Sequence, residues 1–282
     1  MRRVAKDHYF SVVFIPTLLV TVLVYSPTVG GNLSLNGNFI QGGLVIGRTD
    51  PGTQITLLKR VIRVDNKGTF IFGFSHDDKK RYEIFAVFTD GSKMRRQINV
   101  KQRNYVVQRI DGLPRRMVNP AESDFGKIRH EAKLIHTARS IFTLHNNFSK
   151  GLILPVKGKI SGIYGSRRIL NGRPRRPHLG LDIAAPAGTT VIASADGAVT
   201  LAERDLYFTG GTVIVDHGHG LSTVYSHLRS LFVGVGDRVT QAQKIGLVGS
   251  TGRSTGPHLD WRVNWFQTRL DPMLLVNSNL NK

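Results

Sequence analysis

Cysteine is absent from this 282-residue chain. Disulfides, thiolate catalysis and a Cys-ligated zinc site are excluded with it, leaving His, Asp and Glu as the metal-binding side chains. The compartment is not constrained, since a cysteine-free chain tolerates any redox state. Acidic residues are scarce. Nineteen Asp+Glu stand against 39 Lys+Arg, a formal net charge of +20 that favours lasting contact with a polyanion. Nucleic acid, anionic lipid or membrane surface, and anionic envelope polymers all qualify. The basic residues are scattered, with short clusters at Lys79-Lys80-Arg81, Arg115-Arg116 and Arg173 to Arg176 that read as solvated faces. The chain is long enough for one large or two modest hydrophobic cores.

The charge is distributed unevenly at the start. Arg2, Arg3 and Lys6 precede an apolar stretch from Phe10 to Tyr25, and no further Lys or Arg appears until Arg48. A basic flank, an apolar run and a long uncharged stretch are the marks of an export signal over residues 1–30. The run falls short of the ~20 residues of a membrane span, and Pro16 weakens it as a helix. Ser26, Thr28 and Gly30 offer a weak cleavage site. A cleaved signal peptide and a retained inner-membrane anchor both stay open, and both send the rest of the chain out of the cytoplasm, to the periplasm or cell envelope.

Residues 31–106 read as short strands: Gln54 to Leu58, Thr69 to Phe74, Tyr82 to Phe88 and Arg96 to Val100. The breaks Asp50-Pro51-Gly52, Asn66-Lys67-Gly68 and Asp90-Gly91 favour tight turns. The spacing suggests a small antiparallel β-sandwich. Residues 107–150 read as a helical connector. Asn119 is placed to cap, Pro120 suits the first helical position, and Glu122 follows three after the cap. Phe125, Ile128, Ala132, Ile135, Ala138 and Phe142 then form one apolar face, with His130 and His136 off it. Residues 151–282 turn Gly-rich and strand-like, without a long helical period. The fold class is therefore mainly β, with a second, mostly antiparallel β domain at the C-terminal end.

Three segments of that domain concentrate side chains that bind metal or move protons. In Pro177-His178-Leu179-Gly180-Leu181-Asp182, a straight strand would set His178 and Asp182 ~13 Å apart, too far for one ion unless the chain bends, as Gly180 permits. Tyr225-Ser226-His227-Leu228 ends an apolar strand. In Gly256-Pro257-His258-Leu259-Asp260-Trp261, alternation puts His258 and Asp260 on one face and Leu259 and Trp261 on the other. Taken singly, each segment reads more readily as structural than as functional.

Together and in this order they resemble the lysostaphin/LytM-type zinc metallopeptidases, which hydrolyse peptide cross-links of peptidoglycan. The resemblance covers residues 155–266. His178 and Asp182 match the family's His-x-x-x-Asp motif, with Gly180 and Ile183-Ala184-Ala185-Pro186 in place. His227 matches an intermediate His, and Gly249-Ser250-Thr251-Gly252 with Gly256-Pro257-His258-Leu259 matches the approach to a final His-x-His. The chain departs at the last position, where Asp260 replaces a zinc-binding His. Carboxylate oxygen binds zinc at nearly the distance of imidazole nitrogen, while adding a negative charge that lowers the metal's electrophilicity. The resemblance implies a LytM-type peptidase domain and a Zn2+ held by His178, Asp182 and Asp260. It further implies His258 as general base and His227 as oxyanion donor, or the two with roles exchanged. The three ligands should converge to within about 4 Å. His217 and His219, in Asp216-His217-Gly218-His219-Gly220, share the His-x-His spacing but sit in what reads as a structural turn.

A rival reading is a LytM-like regulator that has lost zinc residues and activates separate cell-wall amidases. Val235-Gly236-Asp237-Arg238-Val239 and Gln243-Lys244-Ile245-Gly246 look like the hammerhead of biotinyl and lipoyl carriers, yet no exposed modification motif stands at Lys244. A nucleic-acid partner would rest on net charge alone, and the export signal opposes it.

Overall fold

The structure is a computed structural model that describes residues 31–57, 59–110 and 120–276; the basic start, the apolar run and Asn119 lie outside them. Among the described residues no helix is long and apolar enough to cross a membrane. Seven strands fill residues 33–99: β1 (Leu33–Gly37), β2 (Leu44–Thr49), β3 (Gln54–Leu57), β4 (Arg60–Ile62), β5 (Thr69–Gly73), β6 (Arg81–Val87) and β7 (Lys93–Asn99). They form two antiparallel sheets, β1-β2-β5 and β4-β3-β6-β7. In β6 the alternation sends Tyr82, Ile84 and Ala86 inward and leaves Arg81 and Phe85 outside, the pattern of a sheet covered on one face. Of the expected turns, Asp90-Gly91 joins the paired strands β6 and β7, whereas Asp50-Pro51-Gly52 and Asn66-Lys67-Gly68 carry the chain from one sheet to the other. Gly68 is obligatory in its turn, because its φ is +79° and a Cβ there would lie 1.7 Å from the Thr49 carbonyl oxygen.

The helix starts later than its sequence suggests. Ala121 is still extended, one 3-10 turn covers Glu122–Asp124, and α1 runs from Phe125 to Arg139. Pro120 therefore precedes the helix instead of opening it. Packing involves the C-terminal half: Leu134, Ile135 and Ala138 meet Leu201, Leu206, Ile214 and Val224. Phe125, at the other end of the anticipated stripe, is exposed. Buried Glu131 instead accepts the Tyr207 backbone N–H at 2.8 Å.

Two further groups of strands frame the site. β8 (Val107–Ile110), β10 (Arg167–Leu170) and β11 (Arg173–Pro174) make a small sheet in which β8 runs parallel to β10. The large sheet has ten strands: β9 (Lys159–Gly162), β12 (Leu181–Ala184), β13 (Thr190–Ile192), β14 (Gly197–Leu206), β15 (Gly210–Gly218), β16 (Leu221–Leu231), β17 (Arg238–Val239), β18 (Lys244–Val248), β19 (His258–Trp265) and β20 (Thr268–Leu270). Its main path is β17-β14-β15-β16-β19-β12-β9, with antiparallel pairing throughout. β15 is buried along its whole length, which explains its unbroken Thr212-Val213-Ile214-Val215 run. One contiguous apolar cluster includes Phe70, Phe72 and Ile84 from the first sheets and Tyr225, Trp261 and Leu270 from the large one.

Candidate metal centre and catalytic cleft

The register of three strands sets the site. On the β12–β19 ladder Asp182 lies opposite Asp260 and Ala184 opposite His258; on the β16–β19 ladder Ser226 lies opposite Asp260. Leu259 and Trp261 point into the core as alternation requires. His178 precedes β12 and is pinned by its backbone: its N–H donates to the Ser166 carbonyl at 2.9 Å, and its carbonyl accepts from Gly165 N–H at 2.7 Å. The chain bends between His178 and the start of β12, so His178 Nε2 lies 3.1 Å from Asp182 Oδ1. Gly180 has no left-handed φ. It is needed for close approach, because a Cβ there would meet Asp260 Oδ1 and Arg262 Cγ, each at 2.7 Å.

His178, Asp182 and Asp260 each offer one ligand atom, and these atoms lie within 4.8 Å of one another. That is slightly wider than the sequence expectation. Donors on a tetrahedral zinc stand roughly 3.4 Å apart, a distance small side-chain rotations would reach. The donor set suits a metal on a second ground. His178 Nε2 is buried and makes no aligned hydrogen bond, an orphaned lone pair or N–H of the kind a ligand would satisfy. Two guanidiniums bear on the carboxylates: Arg168 Nη2 donates to Asp182 Oδ2 at 2.8 Å, and Arg262 grips both oxygens of Asp260. Burial alone would raise Asp182, but His178 and Arg168 outweigh it and hold the carboxyl below its ordinary value. Asp260 is likewise held well below the carboxylate range, Arg262 overcoming the cost of burial.

His227 and His258 meet beside this cluster, ring centroids 4.7 Å apart. Simple alternation would send His227 to the side opposite Ser226 and Asp260. Instead it sits at φ +67°, in the left-handed region, where the β15–β16 register shifts. The bulge returns its ring to the cleft, at the order of 1 kcal/mol of backbone strain. Both rings are oriented through Nδ1, His227 to the Thr251 carbonyl and His258 to the Gly256 carbonyl, each at 2.8 Å. Carbonyl oxygens only accept, so Nδ1 carries the proton in both neutral rings and Nε2 is left basic. Burial pushes His227 below the ordinary histidine value, and the neighbouring His258 adds to this against the pull of Asp260.

All but one of the five residues singled out in the sequence line a cleft of about 370 Å³, together with Ser161, Arg168, Arg253 and Gln108. The exception, His178, lies behind it on the buried side of Asp182. His217 and His219 stand elsewhere, at the β15–β16 turn. His217 Nδ1–H donates to the Asp196 carbonyl at 2.6 Å and Nε2 bonds Thr223 Oγ1 at 2.8 Å, so both nitrogens are engaged. His219 Nε2 faces Asp65 at 3.5 Å. Sequence reading missed Arg168, Arg262 and Gln108. Arg262 carried a faint signal, since it lies two residues after Asp260 and alternation puts both on one face.

Residues 176–272 match the model of peptidase family M23. Peptidoglycan DD-endopeptidase ShyA of Vibrio cholerae is 41% identical over 108 residues, 38% of this chain and 25% of that protein. The match thus spans a quarter of that curated relative's length. The catalytic domain of the antimicrobial peptidase lysostaphin from Staphylococcus simulans is 34% identical, covering 42% of this chain and 90% of that one, with a TM-score of 0.35. A crystal structure from Pseudomonas aeruginosa bearing the peptidase M23 name shares the fold over most of the molecule. It covers 84% of this chain and 95% of its own, with a TM-score of 0.65 and 24% identity. Residues 176–272 of the C-terminal β region thus form a peptidase M23 domain.

Proposed function

We propose that the chain is a zinc-dependent endopeptidase that hydrolyses peptide cross-links of peptidoglycan outside the cytoplasm. The observation that carries this reading is the convergence of His178, Asp182 and Asp260 beside the His227–His258 pair in one cleft. His178, Asp182 and Asp260 would hold the metal. Zinc, when bound, polarises the scissile carbonyl and acidifies a water. His258 Nε2 is placed to take the proton of an attacking water and pass it to the leaving amine. His227 Nε2 is left free by the same kind of Nδ1 contact and lines the same cleft, a second proton acceptor whose basicity burial lowers. A donor role for His227 at a developing oxyanion requires protonation at Nε2, which its environment opposes. The named DD-endopeptidase relative supports peptidoglycan as substrate, and the N-terminal basic and apolar pattern supports export.

Incubation of the full chain with purified peptidoglycan, with and without chelator, followed by mass analysis, tests the reading. Chelator-sensitive release of cross-link fragments is expected. One observation favours the amidase-activating regulator: Arg262 already engages both oxygens of Asp260. That reading predicts no cleavage, no zinc, and stimulation of an added cell-wall amidase.

A further inference from the structure

Each carboxylate of the cluster has its own guanidinium. Arg262 Nε donates to Asp260 Oδ1 at 2.9 Å and Oδ2 at 3.0 Å, and Nη2 donates to Oδ2 at 2.5 Å. Asp260 is almost fully buried, with 5% of its side chain exposed against 26% for Arg262. A fork of this kind fixes the plane of a carboxylate as well as neutralising it. A carboxylate oxygen of Asp260 still lies within 4.8 Å of ligand atoms of Asp182 and His178, the groups that would share a metal with it. Two carboxylates and two guanidiniums sum to zero. Behind Arg262, Arg139 and Arg269 bond neutral acceptors, the Phe266 carbonyl and the Asn264 amide oxygen, so this corner is rich in cations.

Resting on the metal reading proposed above, we infer that Arg262 is a positioning residue of the metal centre. It orients Asp260 toward the ion and cancels its charge, so that the Asp260–Arg262 pair presents the net charge of one neutral ligand. Positions 260 and 262 then form a unit whose halves cannot be exchanged separately. Asp260→His alone supplies a good zinc ligand but leaves an unpartnered guanidinium facing a dication.

The test is zinc titration of the full-length chain by calorimetry, on wild type, Asp260→His, Arg262→Gln and Asp260→His/Arg262→Gln, with thermal unfolding of each metal-free protein. Asp260→His should bind zinc at least ~10-fold more weakly than wild type, and adding Arg262→Gln should restore most of that loss. If Asp260→His fails to fold, Asp260→Asn with and without Arg262→Gln supplies the same comparison. Asp260→His binding as tightly as wild type would overturn the inference while leaving the metal reading intact. So would coupling confined to unfolding temperature, the signature of a purely structural ion pair. Zinc binding by Arg262→Gln but not by wild type would make Arg262 a blocker of the site, the opposite role. No zinc in any variant overturns the metal reading itself, and this inference falls with it.

Discussion

His258 and His227 differ from the three proposed ligands in what their loss should do. Neither ring nitrogen is needed to hold the carboxylates, and both rings are oriented from outside the cluster by loop carbonyls. His258→Ala and His227→Ala are therefore expected to keep zinc, measured by metal analysis, while cleavage of peptidoglycan slows by at least ~10²-fold. Loss of zinc in either variant would move that residue from proton transfer to ligation. At this scale much of the site was legible. The ordered motifs shared with the LytM-type peptidases singled out His178, Asp182, His227, His258 and Asp260, and the ladder pairing sets Asp182 against Asp260. The left-handed turn at His227 was not legible, because nothing in Tyr225-Ser226-His227-Leu228 marks a bulge. Nor was the grip of Arg262, since an arginine in a strand reads as a solvated side chain until its partner's position is known.

Among the elements, the β15–β16 hairpin carries a pH dependence of its own. His217 is fully buried, and that burial lowers its pKa to about 4, opposed by the Asp196 carbonyl and carboxylate. The unfolded chain binds this proton near the ordinary value of about 6.5. The stabilisation is then complete above pH ~6.5 and is lost as pH falls toward 4, amounting to about 3 kcal/mol. Denaturant unfolding between pH 7 and 4 should show this decline, and His217→Gln should flatten it. An unchanged slope in His217→Gln would assign the decline to other groups. The hairpin also shows where sequence reading succeeds and stops. Its Gly-rich turn and two apolar runs were visible, and so were β3, β5, β6 and β7 of the first sheets, each within a few residues, while β1, β2 and β4 were not singled out. The start of α1 was misplaced because Pro120 and Glu122 form a convincing helix opening, whereas Ala121 is held extended. β8 escaped notice altogether: its partner β10 lies some 60 residues further on, in parallel, and no local pattern announces such a pairing.

Across the whole molecule, the first sheets and the large sheet are fastened together. Leu270 packs where a Cβ on Gly73 would stand, 2.5 Å away, and Arg103 pairs with Asp271 at 2.7 Å. Arg60 lies over both Trp265 and Phe266. With one apolar cluster running through both parts, calorimetry of the full chain should show a single cooperative transition. A fragment of residues 151–282 should unfold at lower temperature and bind a hydrophobic dye, because Leu270 and Trp265 lose their cover. Two resolved transitions would show instead that the parts fold independently.

β8 places Gln108 on the wall of the cleft, next to a hairpin that carries Arg168. On the peptidase reading proposed above, the heritable unit of specificity would be larger than the stretch that carries the histidines. A recombination event that grafted residues 151–282 onto a different leader would transfer the reactive groups and forfeit one side of the groove. Lineages that exchanged this module intact would have to cut upstream of Val107, and chimaeras joined downstream of it would compete with a different substrate preference.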